Sequence, residues 1–496
     1  IVIINYQMDI HHFIKNQVSS IVVLFALFLV LLYLSLFSTD ASIFQSVLSS
    51  MCVNFRGVVT IFCYFCLILL LFLLFSKYGK VRIGGANAKK EYSTFSWLSC
   101  LFMAGCGIGI VFYCEEPILH LHNNPYNGHV LGSPEGIAYS LSLFNWTINA
   151  WSQYGVLGLI IAYFYFNEKR SLRLSSILPA RYPNGIKRTI DIVMALGVIA
   201  GLTTSLGLGV VQILGGANYV FNIVISPYLL MICIGLIATW SIVSGLKRGV
   251  KWLSNISAAC VGVLLISIIL ISCINLGITN FIPYIGEGMG LLLVNYISYN
   301  DFYNSATDAW AASYPIFFDL WFAAWAAFVA VFVARISKGR TIREFIGGVV
   351  GVPILFTCIW FGIFGCIGVE FKEMLHETMI NDISSSLFMF LERIVGPVGY
   401  ILLSTLVLII ICLFFITSSD SGSYVVASLL SHKEEVTTSE KIFWSFCQCI
   451  VAMALFYFGG LALVQSVSVI MGILVMVLIL FGSVFFIYHL FKTKHT

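Results

Sequence analysis

Long apolar runs separated by short polar stretches make up the chain from Val18 onward. About twenty apolar residues suffice to cross a bilayer as a helix. Twelve such runs can be marked, centred near Leu27, Ile68, Ile108, Tyr154, Ser205, Cys233, Leu265, Ala327, Leu355, Leu408, Met453 and Val475. The first, Val18 to Phe37, is too long for the apolar part of a signal peptide and reads as a spanning helix. Between the seventh and eighth runs, Gly286 to Asp308 mixes Leu291, Leu292, Val294, Tyr296 and Tyr299 with Gly, Asn and Ser. That mixture suits a helix lying at the membrane interface. The pattern predicts an all-α integral membrane protein with twelve transmembrane helices.

Cytoplasmic loops of such proteins carry an excess of Lys and Arg. With the N-terminus placed inside, all of the 26 Lys and Arg residues except Arg56, Lys372 and Arg393 fall on the inner side. One outer loop instead holds Glu370, Glu373, Glu377 and Asp382. The alternation would be scrambled by a wrong span count, so it supports twelve spans with both termini cytoplasmic. Residues 1–17 and 491–496 read as short cytoplasmic tails. Composition agrees: 60% of the 496 residues are hydrophobic and 10% are charged, against about 25% charge in soluble domains.

Several functions are excluded at this level. No phosphate-binding glycine loop, nucleic-acid patch or filter repeat is visible, and the nine His residues lie without ligand spacing. An enzyme is therefore not expected. The fourteen Cys residues sit almost entirely in apolar runs, and Cys63 and Cys66, a C-x-x-C, read as small apolar filler.

Two stretches carry candidate chemistry. Gly105, Gly107 and Gly109 alternate inside the third run. Gly is a poor helix former, and loosened backbone survives in lipid only where protein or a water-filled cavity satisfies it. One reading is a broken helix that offers backbone polar groups to a solute or ion near the midplane. The other is a packing face of small residues. The second stretch is aromatic. Trp146, Trp151 and Tyr154 lie within an arc of roughly 140° on the fourth helix at about 100° per residue. Trp321, Phe322 and Trp325 lie on the eighth. Aromatic faces turned to one cavity attract a quaternary ammonium by about 2 kcal/mol or more each when desolvated.

At these residues the chain resembles the betaine/carnitine/choline transporter family. The resemblance rests on AGCGIGIVFYCEEP (104–117), the W-x4-W-x2-Y of Trp146, Trp151 and Tyr154, and TSLGLGVVQI (204–213). To these it adds SGLKRGVKWLSNI (244–256), ARISKGRTIREF (334–345) and TSSDSGS (417–423). It implies a LeuT-like core of two inverted five-helix repeats, helices 3–7 and 8–12, preceded by two extra helices. The segments would be two N-terminal helices over 18–95, a first repeat over 96–280, an interfacial region over 281–312 and a second repeat over 313–490. The first helix of each repeat would be broken near the substrate. A homotrimer in the plasma membrane, with the interfacial helix at the subunit contact, would follow.

The implied activity is secondary active transport of a quaternary ammonium compound such as glycine betaine, for osmoprotection, by alternating access and sodium-coupled symport. A sodium-independent carnitine or betaine exchanger, or a choline transporter, is the alternative. The implied cage is Trp146, Trp151, Tyr154, Trp321, Phe322 and Trp325, with Tyr113 as a further wall. Phe322 stands where the family usually has the second of two Trp residues, and Asp319 where it usually has another aromatic. An intramembrane carboxylate is expensive, and Asp319 is expected near the substrate route, attracting the cation. The resemblance also implies a sodium site made by the carbonyls of Met103 and Cys106 and the hydroxyls of Thr417 and Ser418. Gly109 fits betaine-type members, whereas Asp319 points towards choline.

Overall fold

A computed structural model describes residues 19–27, 29, 41–105, 107–126, 130–243, 249–299, 307–431 and 436–492, and helix dominates them. Cys106 and both ends of the chain, and hence the expected sides of the termini, lie outside the described residues. After helical residues 19–27 come α1 (Ala41–Phe75), α2 (Thr94–Gly105), α3 (Gly109–Phe112) and α4 (Glu116–His122). Then follow α5 (Pro134–Trp146), α6 (Ile148–Phe166), α7 (Asn184–Phe221), α8 (Pro227–Val243) and α9 (Gly249–Asn275). α10 (Phe281–Tyr299) is the semi-polar stretch. The rest of the chain forms α11 (Asp308–Ser313), α12 (Pro315–Ile336), α13 (Ile342–Ile346), α14 (Val352–Gly368), α15 (Lys372–Ile394), α16 (Pro397–Ser431) and α17 (Thr438–Lys492).

Among the described residues, seven helical stretches are long and apolar enough to cross a membrane. Twelve apolar runs meet fewer long helices because the backbone breaks inside several of them. The third run is divided among α2, α3 and α4. The fourth breaks at Thr147 (φ −115°, ψ −96°), whose hydroxyl donates back to the Leu143 carbonyl. α17 holds two runs in one helix of 55 residues, interrupted at Gly459 and at Gly460, the latter with φ 59° and ψ −152°. The eighth run breaks at Tyr314 (φ −124°, ψ −89°), because Pro315 has no N–H to give and disfavours helix at the residue before it. The break on this helix lies at Tyr314, and α12 runs unbroken through Trp321, Phe322 and Trp325.

α12 is the centre of the fold. Of the apolar window in Asp308–Ile336, 94% is buried, against 33% in Trp252–Asn275, so α12 is ringed by protein while α9 turns a broad face outward. α12 packs on α6, α7 and α17. Its C-terminal loop is clamped to the segment before α2. Ile83 N–H donates to the Arg340 carbonyl at 2.8 Å and Gly339 N–H to the Ile83 carbonyl at 2.9 Å. Lys90 pairs with Glu344 at 2.7 Å and Lys338 with Glu91 at 2.8 Å. The Arg335 guanidinium lies 4.3 Å from the centre of the Tyr424 ring on α16. A capping box starts α13: the Thr341 hydroxyl accepts from Glu344 N–H, and the Glu344 carboxylate from Thr341 N–H.

At the opposite end α4 meets the polar first turns of α15, which lie beyond the apolar run ending at Gly368. The His122 and His376 rings stack at 3.8 Å, and Glu373 reaches His122 at 3.5 Å. Burial, then the neighbouring His122, holds His376 below the ordinary histidine range, with Glu373 opposing them. A histidine with a lowered folded-state value stabilises while neutral. That contribution is lost as pH falls from about 6.5 down through the lowered value. Amide exchange in α4 and the first turns of α15 should therefore quicken between pH 7.5 and 5. His376→Phe, which keeps a ring on the stack, should remove most of that pH dependence. Equal exchange at both pH values would refute the contact as pH-sensitive.

Candidate functional site

The aromatic residues singled out in the sequence converge where α5, α6 and α12 meet the broken segment. Trp146 ends α5, immediately before the Thr147 break, which turns its ring inward across α12. Its ring centre lies 4.8 Å from Phe318, 5.5 Å from Phe322 and 6.1 Å from Trp321. Tyr113 joins at 5.8 Å from Trp146 and 5.3 Å from Phe318. Tyr154 reaches Phe322 at 6.0 Å and carries Trp151 behind it at 5.3 Å. Trp325 stands one turn further along α12, against Phe328 at 5.5 Å, and a Cβ on Gly107 would lie 3.7 Å from it.

All of these side chains are buried except Tyr113, which is partly so. Among the described residues, the buried Trp321 indole N–H has no hydrogen-bond partner. A buried donor left unpaired costs about 1–3 kcal/mol, so the cluster holds one donor ready for an acceptor.

The helix carrying the glycines ends at Gly105 and resumes at Gly109. Gly107 has φ +54°, a left-handed conformation that side chains rarely adopt. Gly109 is held close to the aromatic rings: a Cβ there would come within 2.7 Å of Trp321 and 2.9 Å of Trp146.

Asp319 is buried at 3% exposure and faces neighbours on α6 and α1. Asn149 Nδ2 donates to its carboxylate at 3.2 Å, and Gln153 Nε2 reaches the Cys63 sulfur of α1 at 3.8 Å. Gln153 Nε2 donates to the Asp319 backbone carbonyl at 3.2 Å, and the Tyr296 hydroxyl of α10 donates to Asn149 at 2.6 Å. Asp319 thus lies at a node joining α12, α6, α1 and α10.

Met103 lies in the last turn of α2, against which α16 packs. Thr417 and Ser418 are buried on α16, and the Thr417 hydroxyl donates to the Leu413 and Phe414 carbonyls of its own helix at 2.9 and 3.0 Å.

Several members of the site were not singled out in the sequence. Phe318 sits four residues before Phe322 on one helix face, a spacing that could have revealed it. Phe361 of α14 reaches Trp146 at 5.8 Å from a distant run. Glu116, completely buried, accepts a hydrogen bond from the Trp146 indole. Its neighbour Glu115 is also buried.

Comparison with known proteins supplies the family. Residues 17–495 match the family model described as "BCCT, betaine/carnitine/choline family transporter". The chain is 33% identical to the glycine betaine transporter OpuD of Bacillus subtilis, over 79% of this chain and 78% of that one. It is 34% identical to glycine betaine transporter 1 of Vibrio parahaemolyticus, over 79% and 77%. It is 32% identical to the ectoine/hydroxyectoine transporter of Virgibacillus pantothenticus, over 80% of each. These relatives are transporters and not enzymes, and the chain belongs to the betaine/carnitine/choline family of membrane transporters.

Proposed function

We propose that this protein imports a quaternary ammonium compound of the glycine betaine type across the cell membrane by alternating access, in sodium-coupled symport. The observation that carries this reading is the buried cluster of Trp146, Tyr154, Trp321 and Phe322 beside the break at Gly105–Gly109. Aromatic faces attract a cation that cannot itself donate a strong hydrogen bond. The unpartnered Trp321 N–H suits an acceptor on the same molecule, such as a carboxylate. Two relatives bear the name glycine betaine transporter, which supports betaine as the cargo.

The architecture under this reading is twelve helices with two inverted five-helix repeats, over 96–280 and 313–490, and both termini in the cytoplasm. The semi-polar α10 would contact the other subunits of a homotrimer. Sodium would take the carbonyls of Met103 and Cys106 and the hydroxyls of Thr417 and Ser418. Both hydroxyls keep oxygen lone pairs for a cation even while Thr417 donates to its own helix.

Uptake of radiolabelled glycine betaine, choline and carnitine into proteoliposomes, with and without an inward sodium gradient, tests the reading. Sodium-driven accumulation of glycine betaine is the expected result. Uptake that needs a preloaded counter-substrate would replace symport by exchange. No uptake of any of the three would overturn the reading.

Asp319 is the observation that favours choline as the alternative cargo. Its carboxylate is hydrogen-bonded by Asn149, so it acts on a bound cation through its field. Asp319→Asn should lower apparent affinity at least about tenfold, since a unit charge about 10 Å away at an effective dielectric of about 20 is worth about 1.7 kcal/mol. The loss should be larger for choline, which has no carboxylate to be repelled. An unchanged affinity for both would refute it.

A further inference from the structure

Behind the aromatic cluster lies a chain of hydrogen bonds that the transport reading does not use. Glu116 and His120 are both 0% exposed and lie one turn apart on α4. The Trp146 indole donates to Glu116 Oε2, and Asn145 Nδ2 to Glu116 Oε1 at 2.5 Å. His120 Nε2 meets the same Oε1 at 2.8 Å. On the far side of the imidazole, Trp310 Nε1 approaches His120 Nδ1 at 3.4 Å. An indole N–H can only donate, so Nδ1 is the acceptor and the proton sits on Nε2, where it donates to Glu116. The carboxylate then receives three donors, while Asn145 Nδ2 also lies 3.2 Å from His120 Nε2. Trp310 belongs to α11, and α11 is anchored at its first residue by Asp308, whose carboxylate pairs with Arg56 of α1 at 2.8 Å.

We infer that Glu116 is a positioning residue for substrate: it fixes the plane of Trp146, and through His120 and Trp310 it ties that ring to α11. The geometry leaves the indole little alternative. Its one polar atom has a buried charged acceptor, and its apolar face is packed on Phe318 and Phe322. Tyr314 separates α11 from α12, so the two are distinct elements joined at one non-helical residue. Any movement of α11 then reaches the ring through three hydrogen bonds, from Trp310 to His120, from His120 to Glu116 and from Trp146 to Glu116. This inference deepens the transport reading and rests on it.

The test is transport kinetics with glycine betaine as probe. Glu116→Gln replaces one acceptor oxygen by a donor, so one of the three N–H groups must face an N–H. KM should rise about tenfold to a hundredfold, as for a lost hydrogen bond to a charged group, with Vmax within about threefold. In a Trp146→Phe background, which has no indole N–H, the same change should add less than about twofold. A full multiplicative effect there would overturn the assignment.

A second pair keeps the test decisive if Glu116→Gln does not fold. His120→Leu fills the site with an apolar side chain and should raise KM. His120→Gln restores a donor for Glu116 and an acceptor for Trp310, and should recover at least half of that loss on a logarithmic scale. Equal KM for the two His120 variants would overturn the relay. If the wild-type protein takes up no glycine betaine, the transport reading falls and this one with it. Wild-type uptake with an unshifted Glu116→Gln KM sinks the relay alone.

Discussion

Gly109→Ala is expected to raise the KM for glycine betaine at least tenfold while leaving the protein folded. The added methyl would lie 2.7 Å from Trp321 Cη2 and 2.9 Å from Trp146 Cη2, both closer than real Cβ atoms approach their neighbours. Neither ring has an easy retreat. Trp146 is held by Glu116 and packed 4.8 Å from Phe318, and Trp321 is stacked between Phe317 at 5.9 Å and Phe322 at 5.8 Å. Overpacking of this kind costs about 1–3 kcal/mol. Ala regains up to about 1 kcal/mol in helix propensity, so the net effect on stability is small. The effect on the site is not, because both rings that would face the cation are displaced together. Gly57→Ala on α1, where nothing lies within 4 Å, is the matched control and should transport normally. Uptake kinetics and a melting curve on each variant check this. Wild-type KM in Gly109→Ala would mean that the two Trp rings are not the binding surface.

What could be read from the sequence follows from how local each signal is. The apolar runs need only their own residues, and so does the end of α11, since Pro315 announces it. The break at Thr147 carries no Gly or Pro and depends on a hydroxyl turned back to the Leu143 carbonyl, so no run-level pattern marks it. Trp146, Trp321 and Phe322 could be picked out because large aromatics in the middle of a span are conspicuous. Phe361, equally close to Trp146, comes from a run rich in aromatics and gave no reason to be preferred. Glu115 and Glu116 are adjacent and chemically alike, yet Glu116 collects three donors where Glu115 collects fewer. That difference is set by α5 and α11, which arrive from either side. Asp319 shows the same limit. Its position in a span marked it as consequential, but its partners Asn149 and Gln153 lie on a helix whose facing side only the packed structure reveals.

Gly472→Ala is expected to do the opposite of Gly109→Ala: to damage the fold before it touches the site. Gly472 lies on α17 where that helix crosses α12, and a Cβ there would come within 1.9 Å of the Leu320 carbonyl oxygen and 2.7 Å of its carbon. Small residues let membrane helices approach backbone to backbone, where dispersion and weak contacts replace a missing hydrophobic drive. The obstacle at Gly472 is main chain, which has no rotamer to yield, so the two helices must separate. α12 is enclosed on all sides, so the shift would have to spread into α6 and α7 as well. The expected outcome is a yield of folded, detergent-stable protein well below wild type and a lowered melting temperature, at a cost at or above the usual 1–3 kcal/mol of overpacking. Gly262→Ala on α9, with nothing within 4 Å, should match or slightly exceed wild-type stability through helix propensity. Leu320 lies between Asp319 and Trp321, so whatever Gly472→Ala protein does fold should also bind substrate weakly. Wild-type melting and yield for Gly472→Ala would show that α12 and α17 do not meet at this spacing, and would remove the frame on which the aromatic site is built.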